Sequence, residues 1–299
     1  MTKTILFMGK DGQVGFELTR SLSVLGKVVA VGRKECDMGD AAQVRKVVQE
    51  VKPDVIVNAS AYTAVDKAEQ ETELAMAINA TAVGVLAELA KASGALLVHY
   101  STDYVYAGNK DGAYVESDAT GPRSAYGRTK LAGEDLIRKH CDQHFIFRTS
   151  WVFGAYGANF MKTMLRVMQE RDALRVVADQ HGAPTSAALI ADVTAHVVSA
   201  YLKALVDAGK FGTYHLAAGG STTWHGYAQL VGHTAQDLGT TLKVQPDAIA
   251  AIGTDDYPLP APRPANSRMD TSKLKQAFGL ELPAWEDDVR HVVRQLIAR

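Results

Sequence analysis

Ile5-Leu6-Phe7-Met8 is apolar at every position and ends in a glycine-rich turn, after which Val14, Leu18, Leu22 and Leu25 recur at helical spacing. The pattern predicts a strand, a loop and a helix over Gln13–Leu25. The same alternation continues with a strand at Lys27–Val31, a helix at Ala41–Val51, an apolar strand at Asp54–Asn58, a long helix and a strand at Leu96–Tyr100. A helix over Ser124–Lys139 and a strand at Phe145–Thr149 follow, read as completing six β units in the first half. Strands with no polar alternation are covered on both faces, as in a parallel sheet between helical layers. The predicted fold class is therefore α/β, a doubly wound parallel (Rossmann) sheet.

After Trp151 the pattern loosens into helices at Phe160–Arg171 and Ala187–Leu205 and short strands at Arg175–Val177 and Gly212–Leu216, which predicts a second, smaller mixed α/β lobe. The proline-rich run from Pro258 to Pro264 fits neither regular helix nor central strand and is expected to cross between lobes. Met161, Met164 and Met168, and likewise Val44, Val47, Val48 and Val51, fall at helical spacing and read as buried stripes.

Chemistry begins at Gly9-x-x-Gly12-x-x-Gly15, placed between the first strand and the first helix. A helix N-terminus offers unpaired N–H groups and partial positive charge, and glycine removes the Cβ that would keep a pyrophosphate away. Gly32 stands where an NAD-binding chain usually carries an acid, and Arg33 and Lys34 can pair with a 2′-phosphate, so NADPH is the preferred cofactor and NADH a possible one. The bland alternative is a loop merely solvated by two bases. Asp37, followed by Met38, can still touch a ribose or the adenine.

Tyr126 and Lys130 stand at i and i+4, one turn apart on one helix face. A lysine cation there is expected to draw the phenol down from ~10 toward ~7, making it a usable acid–base group. The strand running into His99-Tyr100-Ser101-Thr102-Asp103 turns polar at its C-terminal end, where α/β sheets bind ligands. Thr102 can donate to a carbonyl oxygen, Tyr126 can deliver a proton and a nicotinamide a hydride, which together meet the needs of ketone reduction.

Composition narrows the setting. Thirty-two basic and thirty-three acidic residues leave a net charge of −1, which gives no field for nucleic acid or an anionic membrane. Two distant cysteines and a start with no signal-like apolar region point to the cytoplasm. The histidines show no metal-ligand spacing, so no metal is expected and most histidines read as packing or surface residues. Trp224 and Tyr227 are left open between stacking on a ligand and core packing, and Arg263 and Arg268 between surface roles and pairing with a diphosphate.

Gly9-x-x-Gly12-x-x-Gly15, Asn58-Ala-Ser-Ala61, Ser101-Thr-Asp103 and Tyr126-x-x-x-Lys130 resemble the extended short-chain dehydrogenase/reductase family. Segments such as Val98-His-Tyr-Ser-Thr-Asp-Tyr-Val105, Asp179-Gln-His-Gly-Ala-Pro-Thr185 and Arg263-Pro-Ala-Asn-Ser-Arg268 extend the likeness, to its nucleotide-sugar reductases, over nearly the whole chain. The resemblance implies reduction of the C4 ketone of dTDP-4-dehydro-L-rhamnose for bacterial surface polysaccharide. Thr102 and Tyr126 would hold the C4 oxygen, Tyr126 as proton donor, with Lys130 on the nicotinamide ribose. Gly12, Gln13 and Val14, between Gly9 and Gly15, would line the pyrophosphate, Ala61, Tyr62 and Thr63 the cofactor's middle, and Tyr100 its nicotinamide end. Asp103 and Trp151 would contact the sugar.

The likeness also implies a discontinuous architecture, with residues 1–150, 187–219 and 261–273 in the dinucleotide domain and 151–186, 220–260 and 274–299 in the substrate domain. Some relatives dimerise through a carboxylate-bound metal, but this chain has Ala187-Ala188 where one of those carboxylates belongs, although Glu17 remains. A monomer and a homodimer both remain open. Two other activities fit a similar site: a nucleotide-sugar 4-epimerase, against which Gly32-Arg33 argues, and a non-catalytic NADP-binding regulatory subunit.

Overall fold

A computed structural model describes residues 2–298. Its centre is a six-stranded parallel sheet in the order β10-β5-β4-β3-β1-β2, formed by β1 Thr4–Met8, β2 Lys27–Val31, β3 Val55–Asn58, β4 Leu96–Thr102, β5 His144–Thr149 and β10 Gly212–His215. The first half therefore supplies five of the strands rather than six. The sixth, β10, comes from the looser second half and pairs with β5 from Gly212 beside Phe145 to His215 beside Arg148.

The helices α1 Gln13–Ser21, α2 Ala41–Val51, α3 Val65–Ala68, α4 Thr72–Met76, α5 Ala82–Ser93 and α6 Ala125–His140 connect these strands. Asp40 caps α2 by accepting from the Ala42 and Gln43 N–H groups, and Gly94 ends α5 in the left-handed region at φ 71°. The long helix expected before β4 is divided. α4 and α5 are joined by a π-helical turn, Ala77–Thr81, of a kind that often marks functional sites. The stretch Thr72–Ser93 is long and apolar enough to cross a membrane, but more than half of its most apolar 18 residues are buried, and it packs against α2 and α6. It serves as a core helix of this fold.

The second lobe contains β6 Val152–Phe153, α7 Phe160–Glu170, β7 Arg175–Val177, β8 His181–Gly182, β9 Thr185–Ser186, β11 Thr222–Thr223, α9 Trp224–Asp237, β12 Ala250–Ile252 and α11 Trp285–Ile297. α8 Ala187–Leu202 and α10 Ser272–Phe278 return to the sheet. A core of its own in the second lobe, apart from those on the sheet faces, explains this division. Ile5, Phe7, Val57, Val98 and Phe147 pack with Ile190 and Val197 of α8, whereas Met161, Met164 and Met168 pack with Tyr227, Val231, Trp285 and Val289. Leu274, Phe278 and Leu282 join the sheet core, so the chain leaves the sheet later than the boundary expected at residue 274.

Candidate active site

The glycine loop follows β1 at the edge where the strand order reverses, between β1 and β3. Its three glycines do different work. Gly9 takes φ +90°, and a Cβ there would meet the Ala59 carbonyl carbon at 2.7 Å. A Cβ on Gly15 would lie 2.0 Å from the Gly9 oxygen, so this residue lets α1 close onto the loop. At Gly12 the nearest protein atom to an added Cβ is 3.4 Å away, leaving that face to a ligand. Gly12 caps α1 without a side-chain bond and no acid occupies the first turn, so the N–H groups at Gln13, Val14 and Gly15 suit a pyrophosphate. This donor set fits a pyridine dinucleotide. Gln13 also links the lobes, donating to the Val152 carbonyl at 3.4 Å and accepting from Asn159 at 2.9 Å.

Beyond β2, Arg33 and Lys34 are exposed. A Cβ at Gly32 would meet only the ends of side chains, Asp11 Oδ2 at 2.0 Å first, and that exposed carboxylate can turn away. An acid does approach this corner. Glu35 accepts from the Gly32 N–H at 2.9 Å and pairs with Lys10 at 2.6 Å, which holds its carboxyl below the usual range. The Asp37 carboxylate accepts from the Gly39 N–H, and Met38 is buried in the core beneath α2.

Tyr126 and Lys130 ride on α6, which Ser124 caps by accepting from the Gly127 N–H and Glu69 anchors by accepting from the Ala125 N–H at 2.7 Å. Gly127 is where the helix meets the turn after β4: a Cβ there would lie 2.3 Å from the Tyr104 oxygen. The close approach brings Tyr126 edge-on to Tyr104 at 5.5 Å, at the C-terminal end of β4 where Thr102 lies. Asn79, in the π turn, is fully buried. It accepts from the Tyr62 N–H at 2.8 Å and donates to the Tyr62 carbonyl and to Thr129 of α6, so one amide ties the segment Ala61-Tyr62-Thr63 to the helix that carries Tyr126 and Lys130.

The expected pairing of Lys130 with Tyr126 is corrected here. Lys130 Nζ donates to the Tyr100 carbonyl at 2.7 Å and lies 3.0 Å from His99 Nε2, beneath the sheet edge rather than against the phenol. Burial raises Tyr126 to about 12 instead of lowering it, and burial lowers Lys130 to about 8. Removal from water thus outweighs the helix-face proximity that i, i+4 spacing provides. The Tyr100 side chain turns away to Thr194 of α8, at 2.7 Å, while its carbonyl serves Lys130.

Asp103 is buried with both oxygens engaged, accepting from Thr102 Oγ1 at 3.0 Å and from the Ser267 hydroxyl, and burial raises it to about 6. Beneath α6, Glu134 forms a buried ion pair with Arg148 of β5 through bonds of 2.9 and 2.6 Å, and Arg148 also donates to Tyr106.

A cleft of about 630 Å³ opens beside this centre and reaches it at Tyr104 and Ser267. Trp151 and Trp224 stack in its wall at 3.7 Å between ring centroids, and Trp151 holds φ 50°, a strained conformation for a bulky residue. Trp224 is thus a cleft residue, whereas Tyr227 is core. Arg263 lines the cleft and pairs with Asp66 at 2.7 Å, while Arg268 bonds to Asn266 outside it. Sequence reading missed Arg166, Arg171 and Arg175 in the cleft wall, as well as Asn79 and His99. The arginines lie in an ordinary exposed pattern, and no spacing marks them. Among the described residues, no group of three or more potential metal-ligating side chains occurs.

The chain matches the family profile described as RmlD substrate binding domain over residues 2–298. It is 49% identical to the dTDP-4-dehydrorhamnose reductase of Salmonella typhimurium, over 98% of this chain and 97% of that protein. Its identity to the reductase of Burkholderia thailandensis is 46%, over 99% of each chain. Among solved structures it superposes on a dTDP-4-dehydrorhamnose reductase from Bacillus anthracis in complex with NADP, with a TM-score of 0.87, 32% identity, and coverage of 99% of this chain and 100% of that one.

Proposed function

The chain belongs to the RmlD substrate binding domain family of dTDP-4-dehydrorhamnose reductases, and from that membership we infer that it reduces the C4 ketone of dTDP-4-dehydro-L-rhamnose to dTDP-L-rhamnose with NADPH. When bound, the reduced nicotinamide supplies the hydride. Tyr126 is assigned as proton donor to the C4 oxygen and Thr102 as its hydrogen-bonding partner there. The observation that carries this assignment is the placement of Tyr126, in the first turn of α6, edge-on to Tyr104 at the C-terminal end of β4 where Thr102 lies. With its phenol raised to about 12, Tyr126 keeps its proton throughout the neutral range and is loaded for the reductive direction. Thr102 donates to Asp103 at 3.0 Å, and its hydroxyl can rotate to donate to a substrate oxygen instead.

Gly9, Gly12, Gln13, Val14 and Gly15 are assigned to the pyrophosphate, Arg33 and Lys34 to the 2′-phosphate, and Asp37 with the Met38 backbone, its side chain being in the core, to the adenosine end. Ala61, Tyr62 and Thr63 flank the cofactor's middle, with the Tyr100 backbone and Lys130 at the nicotinamide ribose. The sugar is assigned to the cleft wall at Trp151, with Asp103, whose two oxygens already bond Thr102 and Ser267, acting through those hydroxyls. The nucleoside diphosphate occupies the cleft, where Arg171 and Arg175 are exposed and have no acidic partner among the described residues. We place the enzyme in the cytoplasm, in keeping with two buried free cysteines.

Supplying dTDP-4-dehydro-L-rhamnose with NADPH and following nicotinamide absorbance tests the reading. Tyr126→Phe should lose at least ~100-fold in rate. An undiminished rate would remove Tyr126 as proton donor, and no turnover by the unaltered protein would refute the reaction itself.

A further inference from the structure

His99 lies fully buried beneath the Tyr126 and Lys130 helix face, and hydrogen-bond polarity around it is set from one end. The Ser60 backbone N–H can only donate, and it reaches Asn58 Oδ1 at 3.1 Å. That bond orients the Asn58 amide with Nδ2 toward His99 Nδ1, 3.1 Å away. An amide nitrogen also can only donate, so Nδ1 accepts and the single ring proton of a neutral imidazole sits on Nε2. Nε2 faces Lys130 Nζ at 3.0 Å.

An N–H directed at an ammonium would set two donors against each other where Asn58, His99 and Lys130 are only 1%, 0% and 1% exposed. An amine in the same place accepts the His99 N–H through its lone pair and donates to the Tyr100 carbonyl at 2.7 Å. We propose that His99, oriented by Asn58, is a positioning residue that favours Lys130 as the neutral amine, so that in mildly alkaline solution the protein without its dinucleotide carries an uncharged lysine there. Binding of a pyridine dinucleotide is then coupled to uptake of one proton by Lys130.

The surroundings agree with this assignment. From α6, Glu134 is the anion facing Lys130, but Arg148 on β5 already takes both of its oxygens. Tyr126 on the same helix is held protonated, and β4 contributes neutral His99 and the Tyr100 carbonyl. Burial is therefore the dominant influence on Lys130, holding it down to about 8. A dinucleotide brings phosphate charge and hydroxyl acceptors, both of which favour the ammonium. The proton comes from solvent, and no bond to the cofactor is made or broken.

The proposal rests on Lys130 lying at the dinucleotide site, and titration calorimetry of NADPH into the whole protein separates the two claims. At pH 9, in buffers of different ionisation enthalpy, the unaltered protein should take up about 0.9 proton per NADPH bound, falling toward zero below pH 7. Lys130→Arg, which stays charged, should bind with no uptake. His99→Gln, which can present an amide oxygen to an ammonium, should bind with uptake at least halved. Binding at pH 9 with less than about 0.2 proton taken up would overturn the proposal. So would undiminished uptake in Lys130→Arg, or in His99→Gln, as a purely packing role for His99 requires. Absence of NADPH binding would overturn the site assignment, and the proposal with it.

Discussion

Replacing Lys130 with Met removes a titratable group buried to 1% exposure and tests whether burial governs its charge. Lowering from 10.5 to about 8 corresponds to about 3 kcal/mol against the charged form in the folded protein. Below pH 8 the lysine is protonated in both folded and unfolded chains, and this penalty is constant. Between about 8 and 10.5 the unfolded chain binds more protons than the folded one, so stability rises with pH. From pH 7 to pH 9.5 the unaltered protein should therefore gain about 2 kcal/mol relative to Lys130→Met.

The offset between the two proteins at pH 7 is not itself diagnostic. Met leaves the His99 N–H and the Tyr100 carbonyl without their lysine partner, which costs about 1–3 kcal/mol at every pH. The change in that offset is diagnostic. Urea unfolding followed by circular dichroism at both pH values, with m-values unchanged, measures it. Stabilities that stay parallel within about 0.5 kcal/mol would show that Lys130 has an ordinary pKa and would refute the burial reasoning.

Glu134→Gln should destabilise the fold by about 3–5 kcal/mol by leaving Arg148 charged and buried, whereas Glu134→Leu with Arg148→Met should recover most of that loss in the same urea assay. Gly15→Ala should abolish measurable NADPH binding, because its Cβ meets the Gly9 oxygen at 2.0 Å and forces α1 away from the loop; fluorescence titration with NADPH reads this, and affinity within a factor of about two of normal would contradict it. Arg33→Ala with Lys34→Ala should weaken NADPH about 10- to 100-fold and leave NADH unchanged, and equal losses for the two cofactors would dissociate these bases from the 2′-phosphate.

Local patterning made much of the frame legible. Continuously apolar strands at Ile5–Met8 and Val55–Val57 can be stable only with both faces covered, so the parallel sheet follows from the burial they require. The glycine loop was likewise readable in part, because steric exclusion at Gly15 comes from Gly9 and Lys10 nearby in sequence, whereas that at Gly9 comes from Ala59 and Ser60 at a neighbouring strand's end. The division of the long helix by a π turn was not: Asn79 has its reason in Tyr62 and Thr129, which are distant in sequence. The same holds for β10, whose short segment becomes a sheet strand only because β5 offers an open edge.

The amino-acid sequence by itself determined that Tyr126 and Lys130 share a helix face, since helical periodicity is a local property of the backbone. Only tertiary structure decided what each group does there. Charge state depends on removal from water and on the direction of hydrogen bonds, and these are set by Asn58, His99 and Tyr100 on two neighbouring strands and by Thr102 at the end of one of them. A lysine expected to acidify its tyrosine is therefore turned toward a histidine beneath the sheet edge, because three-dimensional burial, unlike sequence spacing, determines which proton is cheapest to lose.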